Sequence, residues 1–243
     1  MKDIKTFWRD PAQWSQLIIL FGLLFIYIAN LRSAYFQTVT VRAFLPFWKT
    51  IISFFNMAVT CFILSILTTR FVYPMLSLEG KQYWIIGLAP VDRSRVVWEK
   101  YGLCWAASLV MTEILMVFSS WILRVSESMV VLSTVTVFFM SFGLTSLSVG
   151  LGAATPNFKE DNPARIANGL GGTLNVILSL IYIGAAIAVG IYPSFLTITG
   201  RMPEGRGAIY LFAGCVLVAA VLHSVAIYVP MRIGLKRWRE MEF

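Results

Sequence analysis

Apolar and polar positions alternate along this chain in long blocks. Apolar runs at residues 14–31, 50–69, 101–123, 129–153, 169–192 and 208–230 are separated by short charged or turn-rich segments. Each run has about the 20 residues that a helix needs to cross a bilayer. The pattern predicts an all-α integral membrane protein: one domain, residues 1–243, with six transmembrane helices. An even number of spans puts both termini on one side.

The ends carry their own pattern. In residues 1–12, Ile4, Phe7 and Trp8 fall at helical spacing beside Lys2, Lys5 and Arg9. That predicts a short helix lying in the membrane interface. Asp10 and Pro11 then read as the cap and first position of the first span. Residues 231–243, with KRWRE, read as a basic tail anchored at the anionic leaflet. Most of the 20 Lys and Arg residues fall in the termini, in 70–100, or in 155–168. The positive-inside rule therefore predicts that all of these segments are cytoplasmic.

The connection EGKQYWIIGLAPVDRSRVVWEKY, residues 79–101, interrupts the pattern. It holds only a five-residue apolar run, Trp84 to Leu88, and then Pro90. Glu79 to Leu88 could form a short helix with Tyr83, Trp84, Gly87 and Leu88 on one face. Pro90 disfavours helix at Ala89, and Asp92 can cap a new helix starting at Arg93. From Arg93 no breaker appears before Arg124, so this helix runs from outside the bilayer into it. Two readings stand side by side: a groove-fitting helix for a soluble partner, and an interfacial anchor resting on lipid.

Composition narrows the class. The chain is 58% hydrophobic and 13% charged, far from a soluble domain's roughly one-quarter charged residues. A net charge of +8 fits anionic lipid, and no basic–aromatic pattern points to nucleic acid. Cys61, Cys104 and Cys215 lie apart inside apolar runs and read as packing residues. His223 alone cannot build a metal site. No GxxxxGK[ST] phosphate loop occurs; the glycine cluster Asn168–Gly172 lacks its lysine and reads as close helix packing. No HExxH, paired intramembrane aspartates or placeable serine–histidine pair supports an intramembrane hydrolase.

Three stretches, KDIKTFWRDPAQWSQL, SLEGKQYWIIGLAPV and PNFKEDNPARIANGLGG, resemble the membrane subunits of bacterial type-2 ATP-binding-cassette exporters. They are most similar to the C-terminal half of chains that often hold two such halves. The resemblance implies a permease subunit that is not itself an enzyme, in the bacterial cytoplasmic (inner) membrane. It implies no cofactor in this chain, with ATP and Mg²⁺ on a partner ATPase subunit, and a second permease half as homodimer or paired chain. Segment 79–100 becomes a cytoplasmic coupling helix between the second and third spans. Its ATPase contacts would be Glu79, Gly80, Lys81, Gln82, Trp84, Leu88, Pro90, Asp92, Arg93 and Arg95. Residues 193–207 could be a reduced re-entrant hairpin. A non-transporting assembly or sensory subunit is the alternative, sharing the architecture without coupling to ATP.

Within the spans, Glu113 stands out. An ionisable group at mid-membrane costs about 2.5–3.5 kcal/mol on insertion scales and so turns away from lipid. It reads either as part of a substrate path or as helix glue bonded to Asn56, Asn175 or His223. Gly143, Gly150 and Gly152 read as points of close helix approach. Asp161 is a candidate cap for a helix starting near Pro163.

Overall fold

The computed structural model describes residues 18, 22, 25, 26, 29, 45–82 and 93–240; for 45–49, 80–82 and 93 it describes backbone only. All regular structure among them is helical. The α-helices are α1 (Leu45–Leu67), α2 (Arg93–Ile122), α3 (Glu127–Ala154), α4 (Pro163–Ala167), α5 (Leu170–Ile198) and α6 (Arg206–Glu240). Five helical stretches are long and apolar enough to cross a membrane: Thr50–Glu79, Ser94–Ile122, Glu127–Ala154, Leu170–Ile198 and Arg206–Glu240. The interfacial helix expected over 1–12 lies outside the described residues. So does most of the first expected span, 14–31; its described residues Ile18, Phe25 and Ile26 are helical and exposed.

The helices outrun the apolar blocks that announced them. α1 continues through a π-helical turn, Thr68–Val72, and 3-10 turns at Tyr73–Met75 and Ser77–Gln82. Pro74 is tolerated there because it occupies a first-turn position. α2 is unbroken over 30 residues, about 45 Å of rod. It ends as a paired wrap, with Val125 N–H donating to Ser120 O and Arg124 N–H to Trp121 O. This is the double bond of a Schellman terminus, usually closed by glycine; here Arg124 takes the left-handed conformation at φ 51°. α4 is capped by Asn162, whose side chain accepts from Ala164 N–H at 2.9 Å, so the cap is Asn162 and not the expected Asp161. Residues 193–207 form no hairpin: α5 runs through Pro193 to Ile198, and a turn with Gly200 and Gly205 at positive φ leads to α6.

α3 is the central helix, packing against α1, α2, α5 and α6. Its Gly150 makes the tightest crossing: a Cβ there would run into the Pro230 backbone of α6, and one at Gly234 into the Gly150 carbonyl oxygen. Pro230 cannot donate to the Ala226 carbonyl one turn back, and in the same turn Ser146 Oγ–H reaches across to the Ile227 carbonyl at 2.5 Å, tying α3 to α6. One apolar cluster fills the middle with Phe54, Met57, Cys61, Leu64, Met116, Leu144 and Tyr182 among others. A second closes one end around Leu76, Val97, Tyr101, Val149, Met231 and the fully buried Trp238.

Candidate functional site

At the end closed by Trp238, four chain segments are tied by polar contacts. Lys100 Nζ donates to Glu79 Oε1 at 2.9 Å, with side chains only 9% and 15% exposed. This pins the turn after α1 to the foot of α2. Arg239 Nε–H donates to Ser94 Oγ at 2.6 Å, tying the last turn of α6 to the same foot. Asn157 N–H donates to Ser77 Oγ at 3.1 Å, bringing in the loop after α3. Phe158 from that loop meets the Trp238 ring edge-on.

The expected partner-contact residues divide accordingly. Glu79 is turned inward to Lys100. Arg95 is exposed and pairs with Glu99 one turn on, at 3.1 Å. Gly80, Lys81 and Gln82 lie in the turn Ser77–Gln82, and Arg93 opens α2; their side chains are outside the described residues. Trp84, Leu88, Pro90 and Asp92 also lie outside them.

Deeper in the bundle, the four intramembrane residues expected to share a network occupy separate places. Asn56 is fully buried; its amide donates to Ser119 Oγ at 2.9 Å. Asn175 is equally buried and donates to Thr69 Oγ1 at 2.7 Å and Ser148 Oγ at 2.9 Å, joining α5 to the π-helical turn and to α3. His223 Nδ1 and Tyr182 Oη share a hydrogen bond at 2.5 Å, with the imidazole stacked on Phe139. Glu113 joins none of these: both carboxylate oxygens are buried without a hydrogen-bond partner. Its neighbour across the α1–α2 seam is the Cys61 thiol, within electrostatic reach.

Sequence reasoning missed the partners, Ser119, Thr69, Ser148 and Tyr182. A signal was present: small hydroxyl residues spaced three or four apart inside apolar runs, such as Ser65 and Thr69 or Thr145 and Ser148. Such pairs place two polar groups on one helix face.

The family model described as "Putative ATP-binding cassette" matches residues 1–243. No curated protein and no solved structure is matched by the chain. The family match overturns the exporter-permease identity and the role of translocating substrate for a partner ATPase. It lends nothing to the non-transporting alternative. It also overturns the expectations of a chain that is not an enzyme and of ATP and Mg²⁺ on a partner alone, because the family is described by ATP binding. Those expectations leaned on the resemblance and on one missing phosphate-loop motif, and a single motif does not exhaust the ways of holding a nucleotide.

The glycine cluster Asn168–Gly172 is packed too closely to cradle a phosphate. A Cβ at Gly172 would strike the Ala167 backbone of α4, and one at Gly171 the Tyr73 hydroxyl. These glycines let α5 close on α4 and on the turn after α1. The residues at this cluster do not fit a bound triphosphate.

Proposed function

The chain belongs to this ATP-binding cassette family, and we propose that it is the membrane-embedded bundle of an ABC transport system that carries movement from its charged end into its interior. The carrying observation is α2, an unbroken helix holding Lys100 in the junction and Glu113 in the interior. Thirteen residues of helix separate them, about 20 Å. A rigid rod of that length moves both ends together.

In this reading the stretch 14–31 supplies a sixth span and brings both termini to the junction side, in the cytoplasm. Segment 79–100 is a coupling elbow that takes up nucleotide-driven movement of the assembly, with Trp84 and Leu88 as its apolar contact and Arg95 at its rim. A second bundle, as a copy or a paired chain, completes the assembly. Glu113 is the polar group at the interior end of that rod, its carboxylate buried, ionisable and uncommitted to any helix–helix bond.

The test is charge reversal across the junction in the whole assembly purified on this chain. Glu79→Lys and Lys100→Glu should each uncouple ATP hydrolysis from conformational change at Glu113, read by a fluorophore beside it. The double reversal should restore coupling. Hydrolysis-linked signals unaltered in both single variants would sink the reading.

A further inference from the structure

We propose that the exposed rings of Trp98 and Tyr228 mark one surface of a bilayer's hydrocarbon layer around this chain and those of Trp121 and Tyr210 the other, which sets Glu113 past the midplane on the side away from the junction. The inference rests on the membrane-embedded reading above and adds where the bilayer sits.

The exposed tryptophans and tyrosines among the described residues are Trp98, Trp121, Tyr192, Tyr210 and Tyr228. Trp98 and Trp121 are 23 residues apart in α2, about 35 Å. Tyr210 and Tyr228 are 18 apart in α6, about 27 Å. The hydrocarbon layer of a bilayer is about 30 Å thick, and such rings gather at its two surfaces. Tyr192, six residues before the end of α5, stands on the side of Trp121 and Tyr210.

Contacts with α3 set the two helices level. Trp105 of α2 donates to Ser141 Oγ and stacks on Phe142, and His223 of α6 stacks on Phe139. α2 runs against α3; α6 runs with it, since Ser146 reaches Ile227 one turn further along both. The midpoint of the α2 pair lies between Leu109 and Val110, just over one turn past Trp105. The midpoint of the α6 pair is Ala219, one turn before His223. Both midpoints come level with the same turn of α3, near Val137. Two helices measured separately give one midplane.

Charge follows the same division. Lys, Arg, Asp and Glu are absent from α3 after Glu127, from all of α5, and from α6 between Arg206 and Arg232. Between Lys100 and Arg124 the single such residue is Glu113. A partner helix is a poorer match for the rings. At 3.6 residues per turn, Trp98 and Trp121 point about 140° apart around α2, so one helix does not cover both, whereas a bilayer meets every direction.

Glu113 is eight residues from Trp121 and fifteen from Trp98, about 12 and 22 Å. Its backbone lies about 5 Å past the midplane, so the one carboxylate in the layer, buried without a partner, belongs to the half away from Lys100.

Nitroxide depth profiling of the full chain in dioleoylphosphatidylcholine vesicles tests this. The background is Cys215→Ala, since Cys61 and Cys104 are buried. Labelled cysteines replace exposed residues one at a time: Leu103, Val110 and Val117 in α2, and Phe212, Val218 and Val225 in α6. The ratio of collisions with oxygen to collisions with a nickel chelate should peak at Val110→Cys and Val218→Cys and fall on both sides of each. A peak shifted to 103 or 117, or to 212 or 225, would overturn the seating and leave the bundle in the membrane. High nickel collision at all six positions would overturn the membrane-embedded reading as well. Low collision with both reagents at 110 and 218 would show these faces covered by protein, and the seating would again be wrong.

Discussion

Lys100 Nζ stands 2.9 Å from Glu79 Oε1, joining two residues 21 apart in sequence across the connection 83–92. The pair is nearly buried, so each charge depends on the other. Breaking such a pair on one side costs about 3–5 kcal/mol, while replacing both partners with apolar residues is much milder. Lys100→Met alone should therefore unfold the junction end at markedly lower temperature. Glu79→Leu combined with Lys100→Met should recover most of the loss in detergent thermal unfolding. Equal losses in the single and double variants would show that the pair is not what ties the turn to α2.

The α3–α6 crossing predicts a contrast among glycines. Gly234→Ala drives a methyl group into the Gly150 carbonyl, and backbone cannot yield as a side chain can. The cost should be about 1–3 kcal/mol, read as lower Tm and weaker resistance to proteolysis between α5 and α6. Gly184 lies mid-helix in α5 with nothing near its absent Cβ, so Gly184→Ala should be neutral or stabilise by about 0.5–1 kcal/mol. Equal responses at the two sites would refute close approach as the reason for the glycine at 234.

Glu113 predicts a divergence between stability and activity. Its carboxylate is buried without a partner, so Glu113→Leu removes an uncompensated polar group and should raise stability, by about 1–3 kcal/mol. The same change should depress ATP-linked activity of the assembly at least tenfold. A variant both less stable and fully active would place Glu113 in the packing of the bundle and nowhere else.

Topology gives a fourth prediction. Single cysteines at positions 5 and 241, introduced into a background lacking Cys61, Cys104 and Cys215, should react with a membrane-impermeant maleimide from the same side. A cysteine at 125, in the α2–α3 turn, should react from the other. Labelling of 5 and 241 from opposite faces would mean that 14–31 does not cross.

The positions of five spans were legible because about 20 apolar residues in a row have few soluble uses. Helix ends were not. KRWRE looked like a solvated anchor, yet α6 continues to Glu240 because Trp238 and Gly234 turn toward the core while Lys236 and Arg239 do not share that face. Likewise the apolar run stopped at 69, before Arg70, but the π-helical and 3-10 turns re-register the backbone and keep Val72 and Leu76 buried. The start of α2 at Arg93 was readable from Pro90 and the charge pattern. The interior network was not, since hydrogen-bond partners such as Asn175 and Thr69 lie 106 residues apart and their pairing depends on which helices are neighbours. Glu113 was singled out for its cost in hydrocarbon; that it bonds to none of its expected partners is a property of packing alone.

The fastening of α6 at one end has a mechanical consequence. Gly150 and Gly234 clamp it backbone to backbone near Trp238, while Ile209, Tyr210, Phe212, Val216 and Leu217 at the other end are broadly exposed. Set in a bilayer, the free end would face acyl chains, which change length and order with lipid composition. A helix pivoting at Gly150 would turn that change into displacement at Arg239, which holds Ser94 at the foot of α2. Bilayer thickness would thereby be a second input to the junction at Lys100, arriving through the exposed apolar end of α6.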